Sequence, residues 1–319
     1  MTDLPAKVHI HEEGPREGFQ ISPKPIATAD KIRFIEALAE TGVTEISCVS
    51  FVNPTKVPGM ADATEVISGV RRRAGIRYTG LFLNAKGLQR ALQTPADIEG
   101  AIRVSASETF GVKNTGMDHK ATLQEQRRYI DVFAENDIEV EFGYVMTSFG
   151  CNYEGAISPK RVVQMVDDLV SVAADAGRKL RGVYLADTVG WATPPAIERA
   201  IGAVRERWPD FVIGLHLHDT RGAGLANAYA ALRLGVSRFD SSCAGLGGCP
   251  FSGGTKAAGN ICTEDFVFMC EEMGIQTGVD LERLIECARL AESIFGPPLS
   301  GHIMHAGSLR RYRNISAAA

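Results

Sequence analysis

The sequence has no long hydrophobic run and no strong excess of charge of either sign. None of its apolar stretches approaches the roughly 20 residues needed to span a bilayer, and its start, MTDLPAK, lacks the basic and then apolar pattern of a secretory signal. The formal net charge is only -4, which gives no reason to expect nucleic acid or an acidic membrane as a partner. These absences favour a cytoplasmic location.

Cysteine is present, but its spacing does not indicate a disulfide framework. The seven cysteines are scattered and odd in number, which favours a reducing compartment. Cys249 differs from the others because it lies in the glycine-dense stretch AGLGGCPFSGG, where an adaptable loop could close over a ligand. We therefore predict that Cys249 donates or accepts a proton. Five others occupy apolar contexts and are predicted to be small core residues: Cys48, Cys243, Cys262, Cys270 and Cys287.

Short apolar runs alternate along the chain with segments of helical periodicity. Eight such strand and helix pairs predict a (β/α)8 TIM barrel. A doubly wound open sheet is the alternative, but no glycine-rich phosphate fingerprint follows the first strand. We expect residues 1–279 to form the barrel and residues 280–319 to form one further helix and a tail. The predicted strands cover about 8–12, 43–49, 76–83, 100–105, 138–146, 182–186, 211–218 and 237–242.

Two connections between these elements are predicted to lack regular structure. The first strand breaks at Gly14 and Pro15, which predicts a turn, and Pro23 and Pro25 extend the loop. After the fourth strand, a long polar connection leads to a helix that begins near residue 122.

Two histidines at the end of the seventh strand have the spacing of metal ligands. Residues i and i+2 of a strand point to the same face, so His216 and His218 project together. Two imidazole nitrogens with an amide or carboxylate oxygen suit a divalent cation such as Mg²⁺, Mn²⁺ or Zn²⁺. The alternative is that these histidines only form hydrogen bonds inside the barrel.

The other polar groups of chemical interest also follow the carboxyl ends of strands, where barrel enzymes have their active sites. Glu17 supplies an anionic oxygen and Asn260 an amide oxygen, although Glu17 could instead form a salt bridge to Arg16 or be a solvated loop charge. The guanidinium of Arg16 suits a carboxylate, phosphate or enolate oxygen. Asp187 could orient a ligand, accept a proton or hold a loop.

Six motifs together resemble one known family. They are, in chain order, EGPREGFQ, SFVNPTKVPGM, NYEGAISP, LADTVGWATP, HLHDTRGAGLANAYAAL and AGLGGCPFSGGTKAAGNICTEDFV. They look like the motifs of hydroxymethylglutaryl-CoA lyase, a member of the metal-dependent lyases and Claisen condensing enzymes on a TIM barrel. The resemblance covers nearly the whole chain, and the GGCP loop separates these lyases from related condensing enzymes and aldolases.

The resemblance implies a retro-Claisen cleavage of a tertiary 3-hydroxyacyl-CoA to acetyl-CoA and a 3-oxo acid. It implies that Mg²⁺ or Mn²⁺ chelates the substrate's hydroxyl and carboxylate oxygens and lowers the pKa of the alcohol. Arg16 would stabilise the enolate oxygen, and Cys249 would transfer the proton at the enolate carbon. The implied metal ligands are Glu17, His216, His218 and Asn260.

The chain departs from the family pattern at three positions. The family usually has aspartate at the position of Glu17, glutamate at that of Ser47 and arginine at that of Phe142. With Gln20 and Tyr144, Ser47 and Phe142 are predicted to contact the substrate. Because two charged groups are lost, we expect a lyase of the same reaction type whose acyl group is not hydroxymethylglutaryl.

Two other functions fit parts of the pattern. A metal-assisted hydrolase also uses two histidines spaced in this way, and a non-catalytic descendant would bind an acyl-CoA or a metal as a sensor.

A homodimer is possible. Five basic residues of the tail could reach CoA phosphates, although a solvated basic tail is the simpler interpretation: His302, His305, Arg310, Arg311 and Arg313.

Overall fold

The structure is a computed structural model, and it describes residues 4–248, 258–296, 298–310 and 312–313. Within these ranges no helix combines the length and apolar character needed to cross a membrane.

Eight parallel strands form one curled sheet. The strands are β1 His9–Glu12, β2 Glu45–Ser50, β3 Arg77–Leu81, β4 Ala101–Ser105, β5 Phe142–Met146, β8 Gly182–Asp187, β9 Val212–Leu217 and β10 Arg238–Ser241. Their order in the sheet is β3-β2-β1-β10-β9-β8-β5-β4. Strands β3 and β4 are its two ends, and the isolated bridge between Thr79 and Asp97 links β3 to the segment that leads into β4. This is the predicted TIM-barrel architecture.

Helices surround the sheet, and many begin at residues that can satisfy free backbone N–H groups. The side chains of Ser107, Asp118 and Ser158 each accept a hydrogen bond from the first turn of their helix. The helices are α1 Gly14–Ile21, α2 Thr28–Leu38, α3 Ala63–Gly69, α4 Ala85–Leu92, α5 Glu108–Thr115, α6 His119–Glu135, α7 Pro159–Asp175, α8 Pro194–Arg207, α9 Gly224–Leu232, α10 Thr263–Glu272, α11 Leu281–Phe295 and α12 Ile303–Ala306.

Each of the two connections predicted to lack regular structure contains a helix, so the predictions were wrong for these parts, whereas the loop at Pro23 and Pro25 is irregular as predicted. After β1 the chain forms α1, with Pro15 in the first turn, where proline is compatible with a helix because no N–H partner is needed. The polar connection after β4 contains α5, which Ser107 caps and Gly116 ends in a left-handed conformation. A small antiparallel hairpin, β6 Gly150–Cys151 and β7 Gly155–Ala156, follows β5 and was not predicted.

The described residues after position 280 pack against the barrel. Helix α11 contacts α2 and α10, and Phe295 near its end stacks on Phe19 of α1 at a centroid distance of 5.7 Å. In the tail, His302 Nδ1 donates a hydrogen bond at 2.8 Å to Asp265 Oδ2, and the guanidinium of Arg313 pairs with Glu272. Arg311 lies outside the described residues.

Glu264 in the first turn of α10 is a fully buried carboxylate. Burial raises its pKa to about 7 from 4.5, and one of its oxygens has no hydrogen-bond partner among the described residues. The folded state therefore holds a proton that the unfolded state loses, so stability falls as pH rises from about 4.5 to 7. We compare the free energy of unfolding of Glu264→Gln with that of the parent. The difference, variant minus parent, should rise by up to about 3 kcal/mol as the pH increases from 5 to 8.

Chemical denaturation at the two pH values measures this difference. Glu65→Gln, at an exposed glutamate of α3, is the control and should show the same pH dependence as the parent. An unchanged pH dependence in Glu264→Gln would contradict the assignment.

Candidate functional site

A cavity of about 210 Å³ opens at the carboxyl ends of the strands. Residues two apart along a strand point to the same face, and every strand of the barrel contributes at least one residue to the cavity at the same level. These are His11, Ser47, Thr79, Arg103, Tyr144, Ala186, His216 and Asp240. The interior of the barrel at this level is therefore largely polar, whereas the outward faces of the strands pack against the helices.

The two predicted histidines face each other at the end of β9. The Nε2 atoms of His216 and His218 are 3.2 Å apart. His216 Nδ1 lies 3.0 Å from Asp240 Oδ2 and donates to this carboxylate, so Nε2, which faces His218, is the nitrogen that can bind a cation. Burial and the neighbouring His216 lower the pKa of His218 to about 4. His218 is thus a neutral imidazole, the form that binds metals.

Helix α1 brings Glu17 to the imidazole pair. Glu17 Oε1 is 3.9 Å from His216 Nε2, and Oε2 accepts hydrogen bonds from Asn260 Nδ2 at 2.7 Å and from the Gly248 amide at 3.2 Å. Burial alone would raise the pKa of Glu17, but the charge of Arg16, the neighbouring His216 and the hydrogen bond from the Gly248 amide outweigh it and lower the pKa to about 2. Glu17 is therefore an anion at physiological pH.

The backbone approaches Glu17 closely on the far side. Gly247 has a φ of 96°, and a Cβ at this position would lie 2.4 Å from Glu17 Oε2. Both the left-handed conformation and the lack of space require glycine here. The packing of this loop on the Glu17 carboxylate thus explains the first glycine of the GGCP motif.

The donor set fits a divalent cation. Ligand atoms of Glu17, His216 and His218 all lie within 4.8 Å of one another. Asn260 pairs with His218 in an isolated β-bridge, and its buried Oδ1 has no hydrogen-bond partner among the residues that the structure covers. One carboxylate oxygen, two imidazole nitrogens and a free amide oxygen form the mixed N/O set of a divalent metal.

Arg16 lies beside this group with all three guanidinium nitrogens engaged. Nη1 donates to Glu17 Oε1 at 2.7 Å, Nε donates to Glu13 Oε2 at 2.9 Å, and Nη2 donates to the same Glu13 oxygen. Burial would lower the pKa of Arg16, but Glu13 and Glu17 raise it above its usual range. The guanidinium of Arg16 therefore has a defined position on the cavity wall.

Three of the four residues predicted to contact substrate line the cavity. Gln20 projects from α1, and its Oε1 is buried without a partner in the described part of the chain. Ser47 is buried beside Thr79. Tyr144 donates a hydrogen bond to Glu99 at 3.0 Å and lies beneath the guanidinium of Arg103.

Phe142 does not line the cavity, contrary to the prediction. It is the first residue of β5, so its side chain lies at the amino end of the barrel, two residues below Tyr144. There its ring packs edge-on against Tyr184 at 5.4 Å, and the guanidinium of Arg238 lies over it. The sequence placed Phe142 on the correct strand. The prediction that its side chain reaches the cavity was wrong, because the residue lies too far toward the amino end of the barrel.

Asp187 holds the loop after β8. Its Oδ1 accepts hydrogen bonds from the amides of Trp191 at 2.7 Å and Ala192 at 3.0 Å. Burial raises the pKa of Asp187 to about 6, and Oδ2 has no partner within the described ranges. A structural role is thus present, and the predicted role in proton transfer stays a prediction.

Sequence reasoning missed three buried polar residues below the histidines. His11, Glu13 and Asp240 have ligand-type atoms within 4.8 Å of one another. His11 Nδ1 is 3.6 Å from Glu13 Oε1 and 3.7 Å from Asp240 Oδ1. The alternation of HIHEE in β1 contained a signal, because His11 and Glu13 have the same i, i+2 spacing as the HLH of β9.

Cys249 lies outside the described residues, so its predicted role has no geometry here. The fold and the described residues define a TIM-barrel protein with a possible divalent-metal centre at the carboxyl ends of its strands.

Comparisons with known proteins extend this definition. The HMGL-like family model matches residues 7–291. The chain is 38% identical over 295 residues to hydroxymethylglutaryl-CoA lyase YngG of Bacillus subtilis, covering 92% of this chain and 95% of that protein. It is 37% identical over 294 residues to the 3-hydroxy-3-isohexenylglutaryl-CoA/hydroxymethylglutaryl-CoA lyase of Pseudomonas aeruginosa, with the same coverages. The chain therefore belongs to the HMGL-like family.

Solved structures agree with this assignment. The structure of an HMG-CoA lyase from Acinetobacter baumannii in complex with coenzyme A and 3-methylmalate superimposes with a TM-score of 0.85 at 36% identity, covering 97% of each chain.

Proposed function

We propose that this protein is a divalent-metal-dependent carbon–carbon lyase that cleaves a tertiary 3-hydroxyacyl-CoA to acetyl-CoA and a 3-oxo acid. Hydroxymethylglutaryl-CoA or an analogue is the substrate. The observation that carries the proposal is the convergence of Glu17, His216, His218 and the free Oδ1 of Asn260 at the mouth of the barrel, in a chain of this family.

We assign Glu17, His216, His218 and Asn260 as the residues that hold the cation, with Mg²⁺ or Mn²⁺ preferred for this oxygen-containing set. When bound, the cation polarises the substrate oxygens and favours loss of the hydroxyl proton. Asp240 orients the imidazole of His216 through Nδ1 and leaves Nε2 for the cation.

Arg16 supplies positive charge where the thioester enolate forms. Its guanidinium is fixed by two carboxylates and needs no rearrangement during the reaction, which is the arrangement that stabilises developing charge most effectively. We assign Cys249 to proton transfer at the enolate carbon, and Asp187, with its free Oδ2 and raised pKa, to proton transfer from the substrate.

The cavity supports a substrate with a larger acyl substituent than hydroxymethylglutaryl. Ser47 places a small hydroxyl where a longer side chain would occupy the cavity, and four apolar residues also line this cavity. They are Leu81, Leu83, Phe110 and Met146. With Phe142 away from the cavity, this expectation rests on Ser47 and these four apolar side chains.

A panel of 3-hydroxy-3-substituted acyl-CoAs, incubated with the Mn²⁺-loaded protein, tests both statements. We expect acetyl-CoA as the product, and a kcat/KM for analogues with a longer 3-substituent about tenfold or more above that for hydroxymethylglutaryl-CoA, because each buried methylene contributes about 0.8 kcal/mol. Free CoA as the product would indicate a hydrolase instead. Efficient cleavage of hydroxymethylglutaryl-CoA without a better substrate would contradict the substrate preference alone.

The acyl-CoA is the proposed small-molecule partner. A homodimer, a cytoplasmic location and contact of the basic tail with CoA phosphates stay predictions of the sequence.

A further inference from the structure

Glu13 is neither a proposed cation ligand nor a proposed proton-transfer group, yet its carboxylate binds the cavity arginine directly. It is the residue immediately before α1, and 5% of it is exposed. Its Oε2 accepts hydrogen bonds from both Nε and Nη2 of Arg16. Two of the three guanidinium nitrogens are therefore held by one carboxylate oxygen.

The backbone holds Glu13 in place at both of its polar groups. Its N–H donates to the Ser241 carbonyl of β10 at 2.8 Å, and its carbonyl accepts from the Glu17 amide at 2.9 Å. The position of Glu13 is thus determined by the barrel strand on one side and by the first turn of α1 on the other. A carboxylate held in this way can fix the guanidinium that it binds.

Arg16 has a second carboxylate partner, and this partner is a proposed ligand of the cation. Arg16 Nη1 donates to Glu17 Oε1, the same oxygen that lies 3.9 Å from His216 Nε2. The guanidinium and a bound cation therefore compete for Glu17 Oε1. Because Glu13 neutralises part of the guanidinium charge and fixes two of its nitrogens, it limits this competition.

The other oxygen of Glu13 extends the same network toward the histidines. Oε1 lies 3.6 Å from His11 Nδ1, which is 3.7 Å from Asp240 Oδ1, and Asp240 binds His216 through its second oxygen. Buried side chains thus connect the position of Arg16 to that of His216. Among the described residues, Glu13 and Glu17 are the only carboxylates that accept hydrogen bonds from Arg16.

We propose that Glu13 is a positioning residue of the lyase: it holds the guanidinium of Arg16 against the reacting thioester and leaves Glu17 available to the cation. This inference rests on the proposed function. It predicts that Glu13 affects kcat and cation affinity, although it touches neither the substrate carbon nor the cation.

Two variants at position 13 separate positioning from a structural role. Glu13→Ala removes both hydrogen bonds to Arg16, and we expect kcat to fall about 30-fold or more with KM changed less than about threefold. Mn²⁺ affinity, measured calorimetrically without substrate, should fall about tenfold, because Arg16 then pairs with Glu17 alone. In Glu13→Gln the amide oxygen can still accept from Nε and Nη2, so kcat should stay within about fivefold of the parent.

Glu45→Gln is the matched control. Glu45 is equally buried at the amino end of β2, where it pairs with His9 and Arg77, and its variant should keep kcat and Mn²⁺ affinity within about threefold. The unfolding temperature of each variant is measured in parallel.

The inference is overturned if Glu13→Ala retains kcat within about threefold, if its loss of kcat matches that of Glu13→Gln, or if kcat falls only in step with the unfolding temperature. These outcomes leave the proposed function intact, because the parent protein still produces acetyl-CoA in the same assay. A parent protein that binds Mn²⁺ and has no lyase activity on any substrate of the panel would overturn the proposed function and this inference with it.

Discussion

Replacing His218 with alanine is expected to abolish lyase activity, with a fall in kcat/KM on the order of 1,000-fold or more. His218 is buried, and its pKa of about 4 keeps the imidazole neutral and ready to bind a cation. Its removal leaves one imidazole, one carboxylate and one amide, a set that holds Mg²⁺ or Mn²⁺ weakly. Calorimetric titration with Mn²⁺ and an acetyl-CoA assay measure both effects.

His119→Ala is the matched control for loss of an imidazole. His119 begins α6 and pairs with Asp168 at 2.8 Å on the outside of the barrel. Its variant should bind Mn²⁺ and turn over like the parent. If His218→Ala retained the parent's Mn²⁺ affinity, the proposed cation site would be wrong.

Arg16→Met is expected to lower kcat about 100- to 1,000-fold with little change in KM, since the charge acts on the enolate that forms in the transition state. Methionine preserves much of the side-chain volume and removes the charge. Arg16→Lys should recover only part of the loss, because the three donors of an ammonium share one nitrogen and cannot reproduce the spread of the guanidinium hydrogen bonds to Glu13 and Glu17. Steady-state kinetics with the best substrate of the panel measure both variants.

Arg71→Met serves as the control for loss of a guanidinium. Arg71 pairs with Glu36 on the surface at 2.8 Å, and its variant should have the parent's kcat. If an Arg16 variant lost substrate affinity and kept kcat, the guanidinium of the parent would contact a part of the substrate that does not react, and the proposed role would be wrong.

The residues at the mouth of the barrel show which site features a linear pattern can predict. His216 and His218 were identified because the two-residue period of a strand gives them one face, and this rule holds in any sheet. The carboxyl-end rule for barrels then placed Glu17 and Asn260 near them, although they lie 243 residues apart in the chain. The structure confirms that these side chains come together.

Depth along the barrel axis was not available from the same rules. The side chains of Phe142 and Tyr144 are two residues apart on β5 and both point into the barrel, as the period of a strand predicts. Only Tyr144 reaches the cavity. Which layer a residue occupies depends on the tilt of the strands and on their mutual register, such as the pairing of Tyr144 with Tyr184. These quantities are set by contacts between strands that are distant in sequence.

The amino-acid sequence by itself determined the alternation of strands and helices, the shared face of the two histidines and the family to which the chain belongs, because each depends on local periodicity or on motifs that are continuous in the chain. Only the tertiary structure decided that α1 follows β1 as a helix, that Phe142 lies below the cavity, and that Glu13 holds Arg16 beside Glu17. A buried charged side chain could pair with any of several partners. The distances that the closed fold imposes decide which hydrogen bond or ion pair forms.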